Sequence, residues 1–238
     1  MLRWSLCFAL LFLLAAAPGR AAPPAKDPRT ALAKRVIFPG FDDPTITLRL
    51  APDFLTDRYG LKIDVDVKQF KAAQFENVLT APVVAEKPLP AQKNVSVGVI
   101  LQQVLNRLPV SATYVLRGNG VQVVTPVSQE VIRSISQESR GSVARARLAR
   151  NFTADRALAD KPTLDNLVRY LKDKHDLQLV VQAGPDAADS KLQLPRFGTV
   201  NLETLLKQMA GQTKARVLLR HDHVLLIPPD AGRPPPGM

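Results

Sequence analysis

"LRGNGVQVVTP" at Leu116–Pro126 and "LRHDHVLLIPP" at Leu219–Pro229 read as one hairpin written twice, 103 residues apart. In each, an apolar run ends at Leu-Arg, three turn residues follow, and a second aliphatic run closes at proline. Asn119-Gly120 is a short-hairpin signal, because the central residues of such turns take positive φ, which Gly and Asn tolerate best. On this alignment His221-Asp222-His223 stands over Gly118-Asn119-Gly120, and Asp222 is expected to visit the left-handed region in the place of Asn119. The two histidines are then expected to be solvent-exposed substituents of a turn.

The similarity runs upstream from the hairpin. "VSVGVILQQVL" (Val95–Leu105) falls on "VNLETLLKQMA" (Val200–Ala210) at an offset of 105, and "LTDRYGLKIDVD" (Leu55–Asp66) falls on "LKDKHDLQLVVQ" (Leu171–Gln182) at 116. Ordered, falling offsets are those of one unit used twice, the first copy carrying about eleven extra residues between its halves. Each copy predicts a strand (Val36–Phe41; the neighbourhood of Phe152), a helix, a strand (Leu61–Val67; Leu177–Gln182), an extended stretch, a second helix and the hairpin. The first helix shows Leu164, Leu167, Val168 and Leu171 on one face. The second shows Leu202, Leu205, Leu206 and Met209, or Val97, Ile100, Leu101, Val104 and Leu105. The expected fold class is α+β: two tandem small sandwich domains, each with two helices packed on a short mixed sheet ending in a β-hairpin.

The inserted "KQFKAAQFENVL" (Lys68–Leu79) predicts a short added helix whose Phe70 and Phe75 extend the core, with a partner-binding flap as the alternative. The expected organisation is a signal peptide at 1–21, a flexible segment at 22–34, copy one at 35–127 with its insertion near 68–90, a basic connector at 128–150, copy two at 151–229 and a disordered proline-rich tail at 230–238. The signal reading rests on Arg3, the apolar Leu6–Ala17 and the small-x-small Gly19-Arg20-Ala21 before Ala22. The apolar run is short of the ~20 residues of a spanning helix, so a retained anchor is the lesser reading and no transmembrane segment is expected after cleavage. Cleavage would remove 21 of 238 residues, Cys7 and two arginines, leaving 217 residues with the formal charge lowered from +11 to +9. A periplasmic or secreted location follows, with stability resting on packing instead of disulfides.

Two histidines at i and i+2 on extended backbone can serve a metal, so His221 and His223 are metal candidates. His175 stands apart, and no third ligand, thiol or Glu-x-x-His is in reach by spacing. The serines between Ser128 and Ser142 lack a nucleophile elbow, and no glycine-rich phosphate loop is present. No catalytic residue and no cofactor are expected. In the Ser139–Arg150 part of the connector, Arg140, Arg145, Arg147 and Arg150 occur without an acid; Arg140, Arg147 and Arg150 would share a helix face. They are candidate contacts for an anionic envelope polymer or lipid head groups, against a reading as a solvated linker. No aromatic residue is interleaved with them, and nucleic acid is not expected as a partner.

The pattern in "TLDNLVRYLKDKHDLQLVV" and "KLQLPRFGTVNLETLLKQMAGQTKARVLLRHDHVLLIPP" resembles the short N-terminal domain of secretins and TonB-dependent receptors: helix, strand, extended lead-in to a second helix, and a hairpin ending in an aliphatic run. The resemblance implies a non-catalytic module that contacts envelope proteins, often through exposed sheet edges. With neither a barrel nor a secretin domain in the chain, it does not imply pore formation or uptake. The function expected is an exported protein-interaction or scaffold module of the bacterial cell envelope. A polymer binder is second and a metal-dependent enzyme third.

Overall fold

The computed structural model describes residues 27–84, 87–125, 129–139, 142–153, 158, 162–182, 191–194 and 199–228. The stretch expected to be a signal peptide (1–21) and the expected disordered tail (230–238) lie outside the described residues.

The first half opens with helix α1 (Pro28–Ala33). Its Asp27 side chain accepts from the Arg29 N–H, and Pro28 sits where a helix needs no donor. Strand β1 (Arg35–Phe38), helix α2 (Leu50–Tyr59), strand β2 (Ile63–Val65) and helix α3 (Val67–Ala72) follow, then a 3₁₀ turn at Val78–Thr80. Strand β3 (Gln92–Ser96) runs into helix α4 (Val97–Leu105), and β4 (Thr113–Arg117) with β5 (Gly120–Val124) make the hairpin. Helices α5 (Gln129–Glu138) and α6 (Val143–Leu148) lead to the second half: β6 (Asn151–Thr153), α7 (Leu164–His175), β7 (Leu179–Val181), β8 (Thr199–Asn201), α8 (Leu202–Gln212), β9 (Arg216–Leu219) and β10 (Val224–Ile227). The chain is mixed α+β with several small sheets.

The halves share one topology. A three-stranded sheet in the order β2-β5-β4 is matched by β7-β10-β9, each with a parallel first pair and an antiparallel hairpin. A two-stranded antiparallel ladder, β1 with β3, is matched by β6 with β8. Local devices repeat at the offsets read from the sequence. Ser96 and Asn201 each cap the second helix by accepting an N–H three residues on. Gly60 and Asp176 each end the first helix in the left-handed region, with φ of 72° and 53°.

Among the described residues two apolar clusters fill the interior, and the second sheet belongs to both. Leu179, Val224 and Leu226 pack with the helices α7 and α8, whereas the alternate residues Val180, Leu225 and Ile227 join the cluster of the first half, with Leu218 of β9. A strand presents successive side chains to opposite faces, so β10, buried along its whole length, serves two cores at once.

Four expectations are corrected. Residues 28–33 are helical and bury Ala31 and Leu32, so the flexible front does not extend to residue 34. The connector is folded: Val131, Ile132 and Ile135 of α5 and Ala144 and Leu148 of α6 are buried, and α5 packs on β4 and β9, one edge strand from each sheet. The hairpin loop is Gly118-Asn119, closed by the Arg117–Gly120 pair, and positive φ falls on Gly118 alone, the pattern of a type II′ turn. Neither Asn119 nor Asp222 is left-handed. Finally, the turn histidines are not solvent-exposed: His223 is fully buried and His221 half-buried. The insertion forms α3, with Phe70 buried and Phe75 packed against the same core.

Candidate functional site

The tip of the second hairpin is pressed into the first half. Arg220 is fully buried, with its guanidinium 3.7 Å above the Tyr114 ring. It donates to the Tyr114 carbonyl at 2.7 Å and pairs with Glu138 of α5 at 3.2 Å. A buried arginine needs a carboxylate and a flat acceptor surface, and two separate segments, α5 and β4, supply them.

Beside it the Asp222 carboxylate lies at the N-terminus of α4. Ser96, which caps that helix through the Val99 N–H at 3.3 Å, donates its hydroxyl to Asp222 Oδ2. His223 Nδ1 is 3.0 Å from Asp222 Oδ1. The carboxylate fits because residue 98 is glycine: a Cβ there would stand 2.9 Å from both Asp222 Oδ2 and the Tyr114 hydroxyl. Burial pushes the Asp222 carboxyl up, but the neighbouring His223, the Ser96 hydroxyl and Arg220 outweigh it and hold the pKa below its usual range. With Asp222 ionised, we assign the donor proton of the pair to His223 Nδ1. Burial pushes the Tyr114 hydroxyl far up, so it stays neutral.

Serine, aspartate and histidine meet here, but in the wrong order for a nucleophile. Activation requires histidine between serine and aspartate; here Asp222 lies between Ser96 and His223. The constellation is a clasp between the halves. Gln178, just before β7, extends it by accepting from the Ser96 N–H at 3.2 Å. A second lock lies nearby, where Asp176 receives Arg35 of β1 at 2.9 Å and Arg147 of α6 at 2.5 Å. Removing one partner of the buried Arg220–Glu138 pair would strand the other charge, so the pair constrains how the halves meet.

The residues singled out from sequence are therefore scattered. His221 offers its carbonyl to the Ala144 N–H at 3.2 Å, while His223 points inward to Asp222. Among the described residues no group of three or more His, Cys, Asp or Glu side chains is placed to hold a metal. Of the four arginines, Arg140 lies outside the described residues, and Arg145 and Arg150 are exposed. Arg147 is occupied by Asp176. The positive stripe loses its central member to the lock between halves.

The clasp residues were not visible by motif, yet a signal existed. They sit largely where the copies differ: Gly98 aligns with Glu203, Tyr114 with Val217, Gln178 with Lys62, and Asp222-His223 with Asn119-Gly120. Arg220 aligns with Arg117, which is exposed.

A cleft of about 340 Å³ opens on the other side of the junction. Its walls are Gln103, Asn106 and Arg107 from the end of α4, the start of α7 including Val168, and strand β7. The strand is at the sheet edge. Gln178 and Gln182 bond to β10 through the Val224 N–H and the Leu226 carbonyl, so the alternation of a parallel ladder turns the backbone groups of Leu179 and Val181 outward. Asn106 Nδ2 donates to the Val181 carbonyl at 3.2 Å. Among the described residues, no strand pairs with this edge.

No protein-family model matches the chain, and neither curated proteins nor solved structures give a significant match.

Proposed function

We infer that this chain is an exported, non-catalytic scaffold module of a bacterial cell envelope, in which two secretin/TonB short-N-terminal-like units act as one body that binds another envelope protein. The observation that carries this reading is the outer edge of β7 inside the cleft between the halves, which no strand pairs with among the described residues, since such an edge offers donors and acceptors that a partner strand completes. The order helix, strand, extended lead-in, helix, hairpin in both halves supports the resemblance. The non-catalytic part is supported by Ser96, Asp222 and His223, which are turned on one another in the interior.

The test is a pull-down with the tagged chain from envelope extract, washed at low and at high salt and read by mass spectrometry. A protein retained at high salt, where exposed charge pairs are screened, is the expected result. Retention confined to low salt, and lost when Arg145 and Arg150 are replaced, would move the assignment to an anionic polymer.

A further inference from the structure

We propose that the junction between the halves is a two-state element, which parts as a unit while each half stays folded, frees the Arg220–His223 tip and uncovers the outer apolar face of the second sheet. The inference goes beyond the scaffold reading and needs no partner. It rests on where hydrogen bonding fails. Six buried side-chain atoms find no partner among the described residues: Tyr114 Oη, Glu138 Oε1, Gln178 Nε2, Gln182 Oε1, Arg220 Nε and His223 Nε2. Each belongs to the clasp or to a side chain that reaches across the junction. Arg220 stacks on Tyr114 and pairs with Glu138, Gln178 accepts from Ser96, and Gln182 donates to the Ala112 carbonyl at 2.9 Å. By contrast Gln102, fully buried inside the first half, has both ends of its amide bonded, to Asn106, Ala112 and Thr113.

A buried polar group without a partner costs the full loss of its hydration, and native interiors carry few of them. Opening the junction gives all six atoms to water and hydrates the Arg220–Glu138 pair, whose burial recovers little net energy. Against this, Val180, Leu218, Leu225 and Ile227 lose their cover. One unmet polar group costs about as much as the burial of one aliphatic side chain gains, so the six atoms offset a large part of what the covered face contributes. Every sheet is laddered within its own half, so parting the halves breaks no strand pair. A boundary with this balance is the kind that opens cooperatively below the free energy of global unfolding.

The experiment compares two neighbouring thiols in the full chain, with its only cysteine removed as Cys7→Ser. Leu225→Cys faces the first half and Leu226→Cys faces the core of the second, and both parent side chains are fully buried. Opening exposes the first thiol alone, whereas global unfolding exposes both. Maleimide labelling in native buffer is expected to be more than about tenfold faster for Leu225→Cys, with a weaker urea dependence because less surface is uncovered. Tyr114→Phe removes one unmet hydroxyl but keeps the ring under Arg220, and should slow labelling of Leu225→Cys by about five- to a hundredfold. Amide exchange of the unaltered chain is the second readout, free of any folding defect in the variants: the Ser96 N–H, whose bond crosses to Gln178, should exchange through the same weakly urea-dependent opening, ahead of the Val123 N–H in the first sheet. Equal labelling of the two thiols with the urea dependence of global unfolding, faster labelling in Tyr114→Phe, or a Ser96 N–H released only with Val123 would overturn the proposal.

Discussion

Replacing Arg220 by methionine tests whether the clasp holds the halves together. The substitution keeps much of the apolar stem but removes the guanidinium, leaving Glu138, whose side chain is 5% exposed, without its cation. Breaking one partner of a buried pair costs about 3–5 kcal/mol, because the remaining charge is stranded. The lost stacking on Tyr114 is part of that cost and is not added to it. For a chain of this size each kcal/mol moves the melting temperature by about 2–4 °C, so a fall of about 6–20 °C is expected. The second arm is the double variant Arg220→Met with Glu138→Leu, in which neither charge remains; it should recover most of the loss. The assay is thermal and urea unfolding of the four proteins of the cycle, followed by circular dichroism. A single-variant loss below about 1 kcal/mol, the value of an exposed pair, would refute the clasp as described. So would a double variant no more stable than the single.

Asp222 sets an acid limit. A carboxyl held below its ordinary value stabilises the fold above about pH 3.8, and that contribution disappears as pH falls through the lower folded value. Stability should therefore drop below about pH 4, and a urea series across pH on Asp222→Asn should show a shallower acid limb than the parent. Gly98→Ala should destabilise by about 1–3 kcal/mol despite alanine's helix preference, because its Cβ overlaps Asp222 and Tyr114. Gly211→Ala, with nothing within 4 Å, should instead stabilise by about 0.5–1 kcal/mol, and melting curves of the two variants moving the same way would count against the packing described. Arg147→Ala should cost about 1 kcal/mol through loss of the Asp176 pair, whereas exposed Arg145→Ala should change the urea midpoint little.

Local periodicity made much of the fold legible. The i, i+3, i+4, i+7 stripe of α7 and the aliphatic runs of β9 and β10 depend on near neighbours, and the duplicated spacing tied them into units. Helix α5 was obscured because its apolar stripe is narrow, Val131, Ile132 and Ile135 amid serines and charges, and because the surface it covers comes from both halves. The clasp was illegible for a further reason: Ser96 and Asp222 are 126 residues apart, and a hairpin compared only with its counterpart gives no hint of what its tip touches. The cleft likewise exists only after α4 of one half meets β7 of the other.

The double-sided burial of the second sheet has an evolutionary consequence. When a repeated unit hangs from its neighbour like a bead, recombination in the connector can delete it, copy it or move it to another gene. Here a gene fragment encoding only the second unit would display Val180, Leu218, Leu225 and Ile227 to water, an apolar face of the kind that drives aggregation. The aligned positions differ, glycine against glutamate at 98 and 203 and tyrosine against valine at 114 and 217, so one half does not replace the other at the junction. A cut in the connector would leave neither piece with its buried face covered.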